Sequence, residues 1–264
     1  MKRIDDKTIW ITGASSGIGE ALAYELSKLG CFLVISARNR EQLLMVKNKC
    51  TYPDRIHVFP LDLADYSKME ENVRRVISEV KQIDMLINNA GISQRSLIIE
   101  TELDVYKKLM DINYLGTVAL TKALLPYFIK QGNGHFVTVT SLMGKFGSPF
   151  RSGYCGAKHA LHGFFDVLRM EHEKDGIQVT LICPGFVNTK VAINALTGSG
   201  ESQLSNDTAT EKGMDPTIFA KKMIKAIRHQ KFEAYIGKKE VMGVYLKRLI
   251  PKLLHSVVLK SNVR

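Results

Sequence analysis

The run Lys7-Thr-Ile-Trp-Ile11, followed at once by Thr12-Gly-Ala-Ser-Ser-Gly-Ile-Gly19, decides how the rest of the 264-residue chain is read. Its first five residues end in the apolar Ile9-Trp-Ile11 and are short enough for a buried strand. The glycines that follow are spaced G-x-x-x-G-x-G, at Gly13, Gly17 and Gly19, and a helical pattern runs from Glu20 to Leu29. Strand, glycine-rich turn and helix are the parts of a dinucleotide-phosphate site. Glycine lets the backbone turn tightly and approach a pyrophosphate, whose charge sits at the helix N-terminus. The spacing is not the commoner G-x-G-x-x-G, and a plain turn is the other reading.

Outward from this stretch, Cys31-Phe-Leu-Val-Ile35 has the unbroken apolar character of a parallel strand covered on both faces. It ends in Ser36-Ala37-Arg38-Asn39-Arg40, with no Asp or Glu to hold a ribose 2′-hydroxyl. Arg38 and Arg40 suit a 2′-phosphate, which favours NADP(H) over NAD(H). Alternatively, one or both arginines simply open the next helix into solvent.

Alternation then continues. Helical pattern covers about 40–50, then a strand at Ile56–Phe59 leads to Leu61-Asp62-Leu63. A helix at 66–81 precedes a strand at Ile83–Ile87, closed by Asn88-Asn89-Ala90-Gly91. Helices at about 102–112 and 113–131 lead to a strand at His135–Thr140, with Ser141 at its end. A helix over 153–174 is followed by a strand at Ile177–Cys183 and Pro184-Gly185. A helix from Asp215-Pro216 to about 230 and a strand at Glu233–Ile236 complete the pattern. Strand and helix in turn predict one doubly wound α/β domain. Residues 190–215 are small and polar with little periodicity, and read as a mobile loop or short helices over a cleft.

A chain with 45% hydrophobic and 24% charged residues can bury one large core. Cys31, Cys50, Cys155 and Cys183 show neither paired nor metal-ligand spacing, which reads as reduced thiols in a cytosolic-type compartment. His159 and His162 lie one turn apart without a third ligand in the sequence, so no metal is expected. Asp5 and Asp6 stand where a signal peptide is apolar. No window holds the roughly 18 consecutive apolar residues of a membrane span. Neither a secretory signal nor an N-terminal anchor is therefore expected.

Tyr154-Cys-Gly-Ala-Lys158 puts a phenol and an ammonium on one helix face, one turn apart. A phenol with an ordinary pKa of about 10 is a poor acid at neutral pH, and a fixed positive charge lowers that value. Alone, the spacing is also that of an exposed helix turn. Cys155, inside the pair, is either a small packing residue or a thiol whose alkylation would touch the site.

Together Thr12-Gly-Ala-Ser-Ser-Gly-Ile-Gly19, Asp62, Asn88-Asn-Ala-Gly91, Asn113, Ser141, Tyr154-x-x-x-Lys158 and Pro184-Gly185 stand in an order and at separations that resemble the classical short-chain dehydrogenase/reductase family, over about residues 5 to 240. Asn113-Tyr-Leu-Gly-Thr-Val-Ala-Leu-Thr-Lys-Ala-Leu-Leu-Pro126 and Gly147-Ser-Pro-Phe-Arg-Ser152 look like the branch near the dehydrogenase/reductase member 7B proteins. The resemblance implies a single-domain Rossmann fold, with a doubly wound parallel sheet of about seven strands in the order 3-2-1-4-5-6-7 and helices on both faces. Residues 1–240 would form the NADP(H)-binding domain and 241–264 a basic amphipathic extension of it.

The implied activity is that of an NADP(H)-dependent carbonyl reductase, or the reverse alcohol dehydrogenase, on a hydrophobic or lipid-like ketone or aldehyde. Tyr154 would be the general acid/base. Lys158 would lower the Tyr154 pKa and hold the nicotinamide ribose, Ser141 would polarise the carbonyl oxygen, and Asn113 would hold the helix geometry and a water that relays protons to Lys158. Implied cofactor contacts are Gly13, Ser15, Ser16, Gly17, Ile18, Gly19, Arg38, Asp62, Leu63, Asn89, Ala90, Gly91, Pro184, Gly185, Val187 and Thr189, besides Tyr154 and Lys158. Asp62 would reach the adenine, Asn89 the ribose, and Pro184 to Thr189 the nicotinamide end. Cys183 departs from the Asn or Ser frequent at its place. The substrate would be shaped by residues 93–96, 142–150 and 187–210. An NADP(H)-binding sensor or scaffold without turnover is the alternative, but such a protein has no use for the set Asn113, Ser141, Tyr154 and Lys158. A homodimer or homotetramer through the helices at 113–131 and 153–174 is also implied.

The net charge of +11 is concentrated at one end: residues 221–264 hold twelve Lys/Arg and two Glu. There Leu246, Leu249, Ile250, Leu253, Leu254, Val257 and Val258 fall at i, i+3, i+4, i+7, i+8, i+11 and i+12, with Lys247, Arg248, Lys252 and Lys260 off the stripe. This predicts an amphipathic helix with Pro251 as a kink. Two readings stand: it packs on its own domain or across a dimer, or it contacts an anionic membrane surface. No nucleic-acid motif accompanies the charge, so no nucleic acid is expected. The expected location is cytoplasmic, peripheral to a membrane if the tail binds one.

Overall fold

Each of the short apolar runs becomes a parallel strand in the computed structural model, which describes residues 3–261. β1 (Thr8–Thr12), β2 (Phe32–Ser36), β3 (Ile56–Val58), β4 (Met85–Asn88), β5 (Gly134–Val139), β6 (Ile177–Pro184) and β7 (Glu233–Ile236) form one seven-stranded sheet. Its order is β3-β2-β1-β4-β5-β6-β7, as the resemblance implied. Between and after the strands lie α1 (Gly17–Lys28), α2 (Arg40–Lys49), α3 (Met69–Val80), α4 (Leu103–Met110), α5 (Gly116–Gln131), α6 (Ser152–Glu171), α7 (Thr208–Glu211), α8 (Pro216–Arg228), α9 (Met242–Leu249) and α10 (Pro251–Lys260).

Successive side chains of a strand point to opposite faces, and here both faces are covered. Ile9, Ile11, Leu33, Ile35 and Ile87 pack against Leu22 and Leu26 of α1, Leu43 of α2, and Phe219 and Met223 of α8. Trp10, Val34, Leu86 and Phe136 point the other way, against Val73 of α3, Leu120 and Leu124 of α5, and Phe165 of α6. The polar end of Trp10 is not left bare: its Nε1 donates to Ser36 Oγ at 2.9 Å. The strand order reverses between β1 and β4. At such a switch point the connections leave in opposite directions and open a crevice at the carboxyl ends of the strands.

Two stretches differ from the pattern read in the sequence, and a third, 190–215, takes the short-helix form among those expected. Residues 102–131 are not two separate helices: α4 runs through a wide π-helical turn, Asp111–Leu115, straight into α5. No Gly or Pro interrupts this stretch before Gly116, where a Cβ would lie 2.2 Å from Leu63 O, so a glycine lets the helix press on the loop after β3. The helix read over 66–81 begins with a tight 3₁₀ turn, Tyr66–Lys68, before α3. Residues 190–215 carry only the short α7 and isolated bridges, among them Gln94 with Leu196 and Val187 with Met214.

The tail is not one kinked helix. Ile250, at φ −139° and ψ 68°, separates α9 from α10. A residue before proline is pushed out of the helical region, and Pro251 then takes the first helical position, where its missing N–H costs nothing. The apolar stripe is split accordingly. Leu246, Leu254 and Val258 pack with Val241 and Val244 on Leu142, Phe146 and Cys183. Leu249, Ile250, Leu253 and Val257 stay exposed. Residues 262–264 of the predicted extension lie outside the described residues.

Candidate active site

The two central strands are stitched at their carboxyl ends by Thr12. Its Oγ1 accepts from Asn89 N at 3.0 Å and Ala90 N at 3.1 Å and donates to Ile87 O. The Asn89 amide nitrogen donates in return to Thr12 O and Gly13 O. Space explains the glycines here. Gly13 has φ +66°, and a Cβ on it would lie 2.7 Å from Ala90 Cα. A Cβ on Gly19 would lie 2.2 Å from Gly13 O. The cap residue of α1, Ser16, makes no side-chain cap bond, so the first N–H groups of the helix are left for whatever occupies the loop.

In front of this loop lies a cleft of about 920 Å³. Of the residues named from the sequence, Gly13, Ser15, Ser16, Gly17, Ile18, Arg38, Asp62, Leu63, Asn89, Ala90, Gly91 and Thr189 line it. Gly19, Tyr154, Lys158, Pro184, Gly185 and Val187 do not. Gly19 serves the close approach to Gly13, Val187 is buried and bridged to Met214, and Gly185 is packed on Glu240, whose Oε1 also accepts from Phe186 N at 3.1 Å. The role implied for Asn89 is also narrowed, since its amide nitrogen already holds the glycine loop. Lys108 lines the cleft without having been named, and Lys190 and Asn194 line it from the 187–210 stretch read as shaping the substrate. Nothing in the sequence separates a lysine facing a crevice from a solvated one.

Asn113, Ser141, Tyr154 and Lys158 come from three places: the π-helical turn, the end of β5 and the first turns of α6. The wide turn aims Asn113, fully buried, at the strand exit opposite. Its Nδ2 donates to Ile92 O at 2.9 Å and its Oδ1 accepts from Ile92 N at 2.8 Å. Ser141 Oγ accepts from Met143 N at 3.0 Å, which leaves its own proton to donate elsewhere. Lys158 Nζ donates to Val139 O at 2.9 Å and lies 5.8 Å from the centre of the Tyr154 ring. Burial takes its ammonium down to about 8, so the proton is held loosely.

Burial pushes the Tyr154 phenol up, and it stays above its ordinary value, contrary to the expected lowering, although the hydrogen bond with Ser141 and the charges of Arg95 and Arg151 pull it down. The sequence reading gave that second role to Lys158. In the fold two arginines also act on the phenol: Arg95, which lies in the 93–96 stretch read as shaping the substrate but was not singled out, and Arg151. Arg95 Nε and Nη2 donate to Asp207 Oδ2 at 2.8 and 2.6 Å, and Arg151 Nη2 donates to the same oxygen at 3.2 Å. All three side chains are buried. No sequence signal marks them: a lone Arg or Asp among small polar residues reads as solvated.

Two cysteines are also resolved by the fold. Cys155 is buried, and burial pushes its thiol up, which makes it a packing residue rather than an alkylation site. Cys183 lies beside His162 and Glu233, a grouping invisible in sequence. The Glu233 carboxylate there is held by the Lys145 ammonium at 2.6 Å. His159, the other member of the expected pair, turns its Nδ1 to Cys155 O at 2.8 Å.

Residues 7–199 match the family model described as short chain dehydrogenase. The human protein named dehydrogenase/reductase SDR family member 7 is 42% identical over 255 residues, which cover 94% of this chain and 75% of the relative. The Xenopus laevis protein named member 7B is 37% identical, covering 94% of this chain and 79% of its own length. A solved short chain dehydrogenase/reductase from Burkholderia phymatum, in complex with NAD, superposes with a TM-score of 0.84 at 21% identity, over 100% of this chain and 98% of that one. Its likeness speaks for the fold, and the family match and the relatives speak for descent. On the family match and these relatives, the chain belongs to the short-chain dehydrogenase/reductase family of oxidoreductases.

Proposed function

We propose that the protein interconverts a ketone or aldehyde and the corresponding alcohol with NADP(H), on a hydrophobic substrate. The observation that carries this reading is the pairing of Tyr154 with Ser141, with Tyr154 packed behind Ile92 and Leu196, two residues that line a cleft also lined by Arg38. The cleft fits a dinucleotide: a side chain on Gly13 would fill the cradle, and the free N–H groups of α1 suit a pyrophosphate. When bound, the nicotinamide supplies the hydride to the carbonyl carbon, or accepts it in reverse. The chain's own part is positional and electrostatic. Ser141, its Oγ already fixed by Met143 N, donates its proton to the carbonyl oxygen. Tyr154 gives that oxygen its proton as the charge develops. Lys158, buried and loosely protonated, is suited to return a proton to Tyr154.

Cofactor choice rests on Arg38, which is exposed and lines the cleft at the end of β2 with no carboxylate in Ser36–Arg40. Arg38→Asp should swing the preference toward NADH; an unchanged NADPH/NADH ratio would count against NADP(H). Turnover is tested by NADPH oxidation over a panel of apolar ketones. Tyr154→Phe should lose activity by about 10²-fold or more, and equal turnover in parent and variant overturns the assignment. Nucleotide binding without turnover in the parent would favour the sensor.

For partners, exposed Leu115 and Ile129 on or next to α5 and Val167 and Met170 on α6 support pairing of two chains through these helices. Sedimentation of the parent beside Met170→Glu tests it. The tail supports contact with an anionic lipid surface: Leu249, Ile250, Leu253 and Val257 point outward, Lys247, Arg248 and Lys252 lie among them, and residues 241–261 hold no acid. Among the described residues no helix is long and apolar enough to cross a membrane. Because the tail also covers Phe146, point changes Leu249→Glu and Leu253→Glu are better probes than truncation. Loss of flotation with anionic liposomes is expected, and no flotation of the parent sinks the idea.

A further inference from the structure

The sheet face on which α6 lies carries a side-chain cluster that the proposed reaction does not use. In the pairing of β6 with β7, Leu181 stands opposite Glu233 and Cys183 opposite Tyr235. Side chains two apart on a strand share a face, so Cys183 and Glu233 point to the side where Leu181 packs with Leu161 and Phe165 of α6. His162, one helix turn beyond Lys158, meets them there. One donor atom from each of His162, Cys183 and Glu233 lies within 4.8 Å of the other two. His162 and Cys183 are buried, while the Glu233 side chain is 26% exposed and opens the cluster to solvent. His162 Nδ1 lies 3.3 Å from Glu233 Oε1, yet it has no hydrogen-bond partner. Cys183 Sγ donates to the same oxygen at 3.3 Å, and Lys145 Nζ lies 2.6 Å from it. The far side of the ring is closed, since a Cβ on Gly144 would lie 2.9 Å from His162 Nε2. An ordinary core histidine would hydrogen-bond this carboxylate; this one presents an unpaired nitrogen to it.

We propose that His162, Cys183 and Glu233 form a binding site for a divalent cation of the Zn²⁺ type. Imidazole, thiolate and carboxylate are ligands that Zn²⁺ takes. At bonds of about 2.0–2.2 Å to nitrogen and oxygen and about 2.3 Å to sulfur, tetrahedral angles put neighbouring ligand atoms about 3.3–3.6 Å apart. The two separations that involve Glu233 Oε1, each 3.3 Å, already stand at the short end of this range. Outer partners are in place as well. Thr140 Oγ1 donates to Cys183 Sγ at 3.2 Å, and Tyr235 Oη donates to Glu233 Oε2 at 2.8 Å, which orients both ligands and leaves Oε1 for the ion. Three protein ligands leave a fourth position for water. The charges also close. Without metal, the Lys145 ammonium balances the Glu233 carboxylate. On binding, the Cys183 thiol gives its proton to solvent, and thiolate and carboxylate together neutralise the two charges of the ion. Lys145, its side chain 24% exposed, swings into water still protonated. Spacing hides such a site, because Cys183 stands 21 residues from His162 and 50 from Glu233. The ligands that the sequence does not show beside His162 come from β6 and β7.

The full chain, stripped with a chelator and kept reduced, is titrated with Co²⁺ as a spectroscopic stand-in for Zn²⁺. One equivalent should give the near-ultraviolet thiolate-to-metal band and the visible bands of a tetrahedral ion, and Zn²⁺ should displace it. Cys183→Ser should lose the thiolate band, and His162→Gln should bind more weakly than the parent. Tyr235→Phe, which frees the Glu233 carboxylate, should bind about tenfold more weakly. Lys145→Gln removes the competing ammonium without touching a ligand and should bind more tightly. Zn²⁺ at about one hundred times its Kd should raise the Tm of the parent by about 5 °C and leave that of Cys183→Ser unmoved. Absence of a thiolate band in the parent overturns the proposal, and so does a band that persists in Cys183→Ser through Cys31, Cys50 or Cys155. Weaker binding in Lys145→Gln overturns it equally. Should Cys183→Ser fail to fold, the parent titration and Lys145→Gln, changed at a partly exposed side chain, still decide. Binding is read without turnover, so its outcome is separate from that of the proposed reaction.

Discussion

Asn113→Ala tests the link between the π-helical turn and the site. Asn113 is fully buried and spends both ends of its amide on one residue, Ile92, at 2.8 and 2.9 Å. Truncation leaves an N–H and a C=O of the β4 exit without partners. A buried polar group left unpaired costs about 1–3 kcal/mol, so the two together cost about 2–6 kcal/mol unless water enters the space. In a chain of this size each kcal/mol moves Tm by about 2–4 °C, which predicts a fall of at least about 4 °C. Activity should fall further than stability alone explains, because Ile92 packs on Tyr154 and the neighbouring Gly91 lies where a Cβ would be 3.5 Å from Lys158 Nζ. Asn113→Asp should be no better: a carboxylate still accepts from Ile92 N but turns a negative charge on Ile92 O. Calorimetry and steady-state kinetics read both effects. A melting point within about 1 °C of the parent, with unchanged kcat, would refute the claim that this amide fixes the strand exit.

Further outcomes follow from single contacts. Gly19→Ala puts a Cβ 2.2 Å from Gly13 O and 2.6 Å from Asn89 Nδ2, so NADPH affinity by fluorescence titration should fall at least about tenfold, or about 1.4 kcal/mol; unchanged affinity would mean that the loop is not the phosphate cradle. Burial holds Lys158 near 8 in the folded chain against 10.5 ordinarily. Between those values the unfolded chain binds a proton that the folded chain does not, so this group's contribution to stability is lowest below pH 8 and improves as pH rises to about 10.5. The stability advantage of Lys158→Met over the parent, measured by denaturant without cofactor, should therefore shrink from pH 7 to pH 10, and a constant difference would contradict a buried ammonium. Leu254→Ala removes the buried anchor of α10, with an expected cost of about 2–4 kcal/mol felt as faster proteolysis of the tail rather than of the sheet. Iodoacetamide at neutral pH should leave Cys155 unmodified in the native protein, as read by peptide mass analysis.

The sheet was legible because a parallel strand covered on both faces is apolar along its middle: Ile9-Trp-Ile11 and Leu33-Val-Ile35 admit few other readings. The glycine loop was legible because Gly13 and Gly19 meet backbone at distances no side chain allows. The tail was half legible. Its apolar period is real, but a sequence period does not say which members find a partner, and Phe146 and Leu142, a hundred residues earlier, took Leu254 and left Leu253 bare. By itself, then, the sequence determined the fold and the family, since these rest on local periodicity and on motifs whose order and spacing are unusual. Only the tertiary structure decided what surrounds Tyr154. Arg95, Arg151 and Asp207 are separated by up to 112 positions, and an ion pair at that separation leaves no periodic trace along the chain. Burial, which turns such a pair from a weak surface contact into a strong local field, exists only once the chain is folded.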